Sequence, residues 1–405
     1  MSSIVPFRAL RPVPASAARV AAVPYDVVNA EEARALARDN PLSFLHVSRA
    51  EIDLPPEIDP HSDVVYARAA ANFEALKASA PLVVEDEPRL YVYRLTMGTH
   101  TQTGIAGTFS LDEYERDVIR KHERTRPDKE DDRTRHILTL RAQTGPVFLT
   151  YRASSAVGVV VDRTTPTRPL FDFVAPDAIR HTVWRVERAA LPDLVAAFDR
   201  IPTLYIADGH HRAASAARAR RERPGSETAG REWDTVLAVA FPDDQTQILP
   251  YNRVVRDLGA HTPGSLLTAL SDRCAVAPGP AVPARMGEVA MFLEGAWYTI
   301  ALGDAPATLG GAGRLDVSRL EDSVLAPVLG IGDVRTDKRI DFVGGARGTA
   351  ELERFVRSGK AAVAFSMYPV GVRDLMAISD AGGIMPPKST WFEPKLRDGL
   401  LSHTM

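Results

Sequence analysis

Apolar residues recur along this chain with two different periods, and the switches between them outline its elements. Over 62–79 they fall at Val65, Ala69, Phe73 and Leu76, the spacing of a helix with one buried face. Residues 89–96 and 104–111 alternate as half-buried strands do, and 146–151, 180–184, 235–241 and 361–368 are short runs rich in β-formers. Asn29 followed by Glu32 predicts a capping box for a helix reaching about residue 38, where Asn40-Pro41 ends it. A helix is predicted to start near Ser110 with Glu113 as its capping partner, and others over 191–200 and 317–329. Asp243-Asp244 predicts a turn from which 247–255 returns as a hairpin, and 289–302 a hairpin turning at Glu294-Gly295. Residues 339–345 read as a strand entering a glycine turn.

Composition changes once along the chain. Residues 258–313 are rich in Gly, Ala and Pro, which suggests a separate small lobe. The expectation is an α+β fold with a mixed-sheet core: an N-terminal α/β domain over 1–257, a smaller lobe or insertion over 258–348, and a C-terminal segment over 349–405 that returns to the main domain. A chain of 405 residues, 45% hydrophobic and 25% charged, has the make-up of a soluble globular protein with two or three lobes. Its net charge of -3 gives no global attraction to nucleic acid or anionic lipid, so no nucleic-acid partner is expected. Cys274 is the only cysteine, which excludes an internal disulfide and suits a reducing cytoplasm. No apolar h-region separates Arg8, Arg11 and Arg19, and no run has the length of a membrane span, so the expected location is cytoplasmic. The sequence sets no oligomeric state.

The chemistry concentrates at 203–215, which reads as strand, Asp208-Gly209 turn and alanine-rich helix. Glycine permits unusual backbone angles and close approach of a ligand, and the helix that follows offers unpaired N–H groups and a positive dipole end. With His210, His211 and Arg212 in its first turn, that end is a candidate phosphate cradle. An aspartate cap before a solvated basic helix is the plainer alternative, but a cap requires neither the histidines nor the arginine.

Two further stretches are dense in polar side chains. In 121–133, His122, Glu123 and Thr125 precede a stiffening proline, and Lys129 with Arg133 share one helix face, so the loop can offer a carboxylate base and cations to one anion. A charged surface loop accounts for the same run equally well. In the tail, Pro386-Pro387-Lys388-Ser389 ends as a phosphate loop does, yet its prolines remove N–H groups such a loop would use. A rigid loop presenting Lys388, Ser389 and Lys395 inward is the functional reading, and a C-terminal clasp the structural one. Asp26 fits a turn former as well as a ligand. No GxGxxG, GxSxG, HExxH or kinase signature is present.

Pro24-Tyr25-Asp26-Val27, His122-Glu123-x-Thr125, Asp208-Gly209-His210-His211-Arg212, Ile248-Leu249-Pro250-Tyr251-Asn252-Arg253 and 386–392 occur in an order that resembles the family catalogued as domain of unknown function 1015. The central motif also resembles the phosphate-binding turn of the ParB/sulfiredoxin superfamily, which implies a nucleotide-binding nucleus of that kind. His210 stands where sulfiredoxin has its catalytic cysteine, so reductase chemistry is not implied. ParB-type partition proteins have Gly-Glu-Arg-Arg there, serving a CTP switch. The free-serine kinases carry Asp-Gly-His-Thr-Arg, matched at Asp208, Gly209, His210 and Arg212, with His211 in place of threonine.

That branch implies phosphoryl transfer from a nucleotide to a small hydroxyl-bearing metabolite such as free serine. The expected parts are phosphate contacts from Gly209, His210, His211, Arg212, Thr125, Lys129, Arg133, Lys388 and Ser389, and catalytic roles for Asp208, Glu123 and His122. Asp26, Asn252 and Arg253 are assigned to the substrate. ATP or ADP with Mg²⁺ is the expected cofactor, the ion held by phosphates and a carboxylate and by no dedicated protein metal site. Two rivals remain: a non-catalytic nucleotide switch of ParB type, and a metal-dependent hydrolase using His122, Glu123, Asp208, His210 and His211. Adjacent histidines on a helix point about 100° apart, which is poor geometry for sharing one ion.

Overall fold

The computed structural model describes residues 3–79, 82–223, 231–303, 305 and 309–405. It divides into two compact units, Met1–Thr246 with Pro394–Met405, and Gln247–Glu393. Both combine helices with sheets, and the main sheet mixes parallel and antiparallel pairs, so the chain has the expected α+β fold with a mixed-sheet core.

In the first unit a nine-stranded sheet comprises β1 (Ile4–Val5), β2 (Tyr91–Met97), β3 (His100–Ser110), β4 (Ile119–Arg120), β5 (Val147–Tyr151), β6 (Phe171–Val174), β7 (Arg180–Arg185), β8 (Leu204–Asp208) and β9 (Thr235–Pro242). The spatial order is β4-β8-β5-β9-β3-β2-β7-β6, with β1 paired to β3. The pairs β8 with β4 and β9 with β5 are parallel, and the others are antiparallel. β7 lies between β2 and β6, where the buried His181 ring meets the Tyr93 hydroxyl at 2.9 Å.

Three helices frame the junction after β8. Helix α1 (Asp63–Ser79) buries Val65, Ala69, Phe73 and Leu76 as its period requires. Helix α2 (Pro127–Leu140) packs against both α1 and α3 (His210–Glu222). The inner face of α3 is almost all alanine: Ala213, Ala216, Ala217 and Ala219 are buried in one cluster with Phe109, Leu149, Leu204 and Ile206. Side chains this small let the helix backbone come close to the sheet, where leucines would overpack the space. The capping box of Asn29 and Glu32 forms at Ala30–Ala37, and Ser110 caps Leu111–Glu115 by accepting the Glu113 N–H. No helix among the described residues is long and apolar enough to cross a membrane.

The second unit holds a six-stranded antiparallel sheet ordered Ala275–Pro278, Ala296–Ala301, Glu288–Leu293, Val363–Met367, Tyr251–Val255 and Ile340–Gly344. The hairpin predicted over 289–302 is there, with Glu294 and Gly295 both at positive φ as a two-residue turn needs. The one predicted over 247–255 is not. Gln247–Leu249 pairs with Trp391–Glu393, and Tyr251–Val255 with Ile340–Gly344 and Val363–Met367. Those pairings move the division from the expected 257/258 to 246/247, and the chain rejoins the first unit at Pro394 instead of 349. The helix expected over 317–329 is shorter, Asp316–Leu320 followed by the π turn Glu321–Leu325. Within the Gly-, Ala- and Pro-rich stretch 258–313, positions 304 and 306–308 lie outside the described residues.

One buried carboxylate ties α2 to α1. Asp132 accepts from the Tyr66 hydroxyl at 2.8 Å and from Arg133 Nε at 2.9 Å, with its side chain 7% exposed. Removing that carboxylate strands a buried guanidinium, so Asp132→Ala is expected to cost about 3–5 kcal/mol of folding stability in urea titrations. A loss under about 1 kcal/mol would show the pair to be dispensable.

Candidate functional site

The junction between β8 and α3 is a sharp bend. Gly209 sits at φ 94° and ψ 31°, and α3 begins at the next residue with no side chain capping it. A Cβ on Gly209 would lie 3.0 Å from the guanidinium carbon and Nε of Arg212, so the position demands glycine for space as well as for backbone angle. The N-cap residue lays no side-chain oxygen over the first turn of α3, Asp208 Oδ1 accepts the Gly209 N–H at 2.9 Å, and the positive dipole end of the helix lies at the bend.

Beside the bend, one carboxylate holds two cations. Asp208 Oδ2 accepts from Lys395 Nζ at 3.2 Å and from Arg212 at 3.3 Å, while Arg212 also donates to the carbonyl of Pro146. Burial alone would raise the proton affinity of Asp208, but the Lys395 ammonium and then the Arg212 guanidinium outweigh it and hold the carboxyl well below the ordinary range. Arg212 is only 8% exposed, with its guanidinium turned under the bend. Its bond to Asp208 joins the end of β8 to the first turn of α3.

The loop at 122–126 meets this bend. The His122 N–H lies 3.4 Å from His210 Nε2, and the two rings stand edge to face with centroids 4.4 Å apart. His211 turns the other way and accepts the Arg126 N–H at 3.0 Å. Burial pushes His122 down to about 4, against a smaller opposing effect of its hydrogen bond to the Ile206 backbone. Burial and then the His122 ring lower His210 well below its ordinary value. Both imidazoles are neutral at pH 7, so they add no positive charge to the cradle. The place is not sealed, since Asp208, His211 and Glu123 are half-buried.

The remaining predicted residues are distributed as follows. Thr125 donates to Glu130 at 3.0 Å, and Lys129 is half-buried in the first turn of α2. Arg133 is committed to Asp132, to the Ser48 carbonyl and to the face of Tyr25, 4.2 Å from its centroid, so it is no open cation. Asp26 is exposed and close enough to Arg212 to raise its proton affinity. Four residues belong to the second unit. There Asn252 accepts the Met367 N–H at 3.0 Å while 1% exposed, and Ser389 donates to the Pro386 carbonyl at 2.6 Å. Arg253 donates to the Lys388 carbonyl at 3.1 Å and is pushed down to about 10 by burial, and the Lys388 ammonium lies 5.5 Å from the centre of the Tyr251 ring.

Sequence reading missed Asp398. It lines a cavity of about 40 Å³ with Tyr25, Arg133, Gln143, Thr144 and Arg212, room for roughly two or three waters. A Cβ at Gly145 would come within 2.6 Å of its Oδ1, which is why a glycine faces it. Burial pushes Asp398 up to about 7, with Arg212 opposing and Asp26 adding to the rise. No spacing in the last residues of the chain signals this, because its partners come from three distant segments.

The family model described as Protein of unknown function (DUF1015) matches residues 4–318. The chain belongs to that family. No curated protein matches it. Among solved structures it is similar to a conserved hypothetical protein from Pyrococcus furiosus, at 13% identity over 73% of this chain and 94% of that one with a TM-score of 0.36. It is also similar to a free serine kinase in complex with AMP, at 13% identity over 73% and 92% with a TM-score of 0.37. A third is SbnI with C-terminal truncation from Staphylococcus aureus, at 12% identity over 72% and 85% with a TM-score of 0.39. Likeness at these scores carries no inference about activity in this DUF1015 protein.

Gly209→Ala is expected to lose about 1–3 kcal/mol of stability from backbone strain and the displaced guanidinium, read by thermal or urea unfolding. Unchanged stability would mean the bend relaxes freely. For Asp398, the folded state binds the proton more tightly than the unfolded chain, so its contribution is present below about 4 and is lost as pH rises to about 7. The melting temperature of the native protein should therefore fall relative to that of Asp398→Asn across this interval, by the equivalent of a few kcal/mol at about 1.4 kcal/mol per unit. Parallel pH profiles would refute it.

Proposed function

We propose that this protein is a nucleotide-dependent phosphotransferase that moves a phosphoryl group from ATP or ADP to the hydroxyl of a small metabolite such as free serine. The observation that carries the reading is the uncapped start of α3 at Gly209, set beside a carboxylate that holds Lys395 and Arg212. Phosphoryl transfer asks a protein chiefly for positioning and charge neutralisation. Amide N–H groups at the helix start donate to phosphate oxygens, and two cations against one carboxylate leave a net positive charge next to them.

The two carboxylates at the bend take different roles. Asp208 is ionised too firmly to be an effective base, whereas Glu123 stands at the mouth beside His210 and takes the proton of the acceptor hydroxyl. Thr125 and Lys129, on the same loop and helix start, belong to the phosphate side of this arrangement. Mg²⁺ brought with the nucleotide supplies further neutralisation, held by the phosphates and a carboxylate.

Incubation with ATP or ADP, Mg²⁺ and a pool of hydroxyl-bearing metabolites is expected to give a product heavier by one phosphate in mass spectrometry. Nucleotide binding without such a product would make the protein a switch instead. Lys395→Met should weaken nucleotide binding in calorimetry by about 10- to 150-fold, the loss of one charged hydrogen bond of roughly 1.5–3 kcal/mol. Equal affinity in the variant, or no nucleotide binding by the native protein, would overturn the assignment.

A further inference from the structure

The rings of His122 and His210 and the carboxylate of Glu123 converge, with one potential ligand atom from each lying within 4.8 Å of the others. We propose that these three residues form a binding site for one divalent transition-metal ion. Ligand atoms held at about 2.1 Å from a tetrahedral ion stand roughly 3–3.5 Å apart, so side-chain adjustments of about 1 Å close the set.

Three features of the surroundings support an ion at this point. The His122 ring donates to the backbone carbonyl of Ile206, the kind of outer contact that fixes a ligating imidazole and makes its other nitrogen the electron donor. The Nε2 of His210 faces the same segment and is met there by an amide at 3.4 Å, too long for a strong hydrogen bond. Both rings are buried and Glu123 is half-buried, so two nitrogen ligands lie inside and one oxygen ligand at the mouth. His211, one residue on, is turned away to the Arg126 amide and takes no part.

The donor set selects the ion. Two imidazoles and one carboxylate suit Zn²⁺, Mn²⁺, Co²⁺ or Fe²⁺, whereas Mg²⁺ and Ca²⁺ prefer oxygen throughout. Three protein ligands leave a coordination position for a water or a ligand oxygen. The inference concerns ion binding alone, and it shares Glu123 with the phosphotransfer reading, which uses that carboxylate as the proton acceptor.

The test uses the full chain without an affinity tag, loaded in turn with Zn²⁺, Mn²⁺, Co²⁺ or Fe²⁺, desalted and analysed for metal by mass spectrometry. One ion per chain is expected for at least one of the four, with visible absorption in the Co²⁺ form. Glu123→Ala alters a half-exposed loop residue and should keep the native circular dichroism while weakening the ion by at least about 10- to 100-fold. His210→Ala should weaken it as well. Failure to retain any of the four ions, or equal retention by Glu123→Ala, would overturn the site. Calorimetry with nucleotide and Mg²⁺ on the same preparations separates the two proposals. Nucleotide binding without a retained ion sinks only the ion site, and a retained ion without nucleotide binding supports the site while removing the phosphotransfer reading.

Discussion

The carboxylate of Asp208 is the point on which the first unit's functional geometry depends. It ends β8, accepts from Arg212 one turn into α3, and accepts from Lys395 in the returning C-terminal segment. One buried anion thus binds a strand end, a helix start and a tail that are far apart in sequence. Removing Asp208 leaves the buried Arg212 and Lys395 charges without their shared partner, at a cost of about 3–5 kcal/mol. The tail is anchored independently as well: Asp398 bridges to Ala22, the Gly399 N–H reaches the Thr144 carbonyl, and Ser402–Thr404 pairs with Ala9–Pro12 and Ala142–Gln143.

Close packing of α3 explains why such charge is concentrated here. Its alanine face draws the helix onto the sheet, and that approach buries His210 and Arg212 along with the alanines. A buried guanidinium requires acceptors, which Pro146 and Asp208 supply, and the glycine at 209 leaves the space it occupies. The same packing removes water from the two imidazoles and makes them neutral. Local backbone, helix composition and electrostatics are therefore consequences of one short distance between helix and sheet.

Much of this was legible in the sequence, because the signals were local. The strand, Asp-Gly bend and helix at 203–215, the face of α1 and the capping box at Asn29 each rest on residues a few positions apart. What failed was pairing over long range. Residues 247–255 alternate like a returning hairpin, yet their strands find Trp391–Glu393 and Ile340–Gly344, which no spacing encodes. The fate of each arginine was equally hidden: Arg212 and Arg133 carry the same charge as exposed lysines in the sequence, and only packing shows that both are spent on internal acceptors. Asp398 was invisible for the same reason.

The two carboxyls next to Arg212 show how burial divides one chemistry into two states. Asp208 and Asp398 are both enclosed and both feel the same guanidinium, yet one is driven down and the other up to about 7. Burial raises both; Asp208 is hydrogen-bonded to the Lys395 ammonium, whereas Asp398 has the Asp26 carboxylate against it and the smaller pulls of Arg133 and Arg397 do not outweigh its burial. An arginine cannot satisfy both fully when one already has a second cation, so its attraction is directed where the charge is fixed. With His122 and His210 neutral and Asp398 only part ionised near pH 7, the fixed charges at the bend are Asp208, Arg212 and Lys395. Those three sum to a single positive charge beside a helix start of the same sign, partly offset by the Asp26 carboxylate near Arg212 and by the ionised fraction of Asp398.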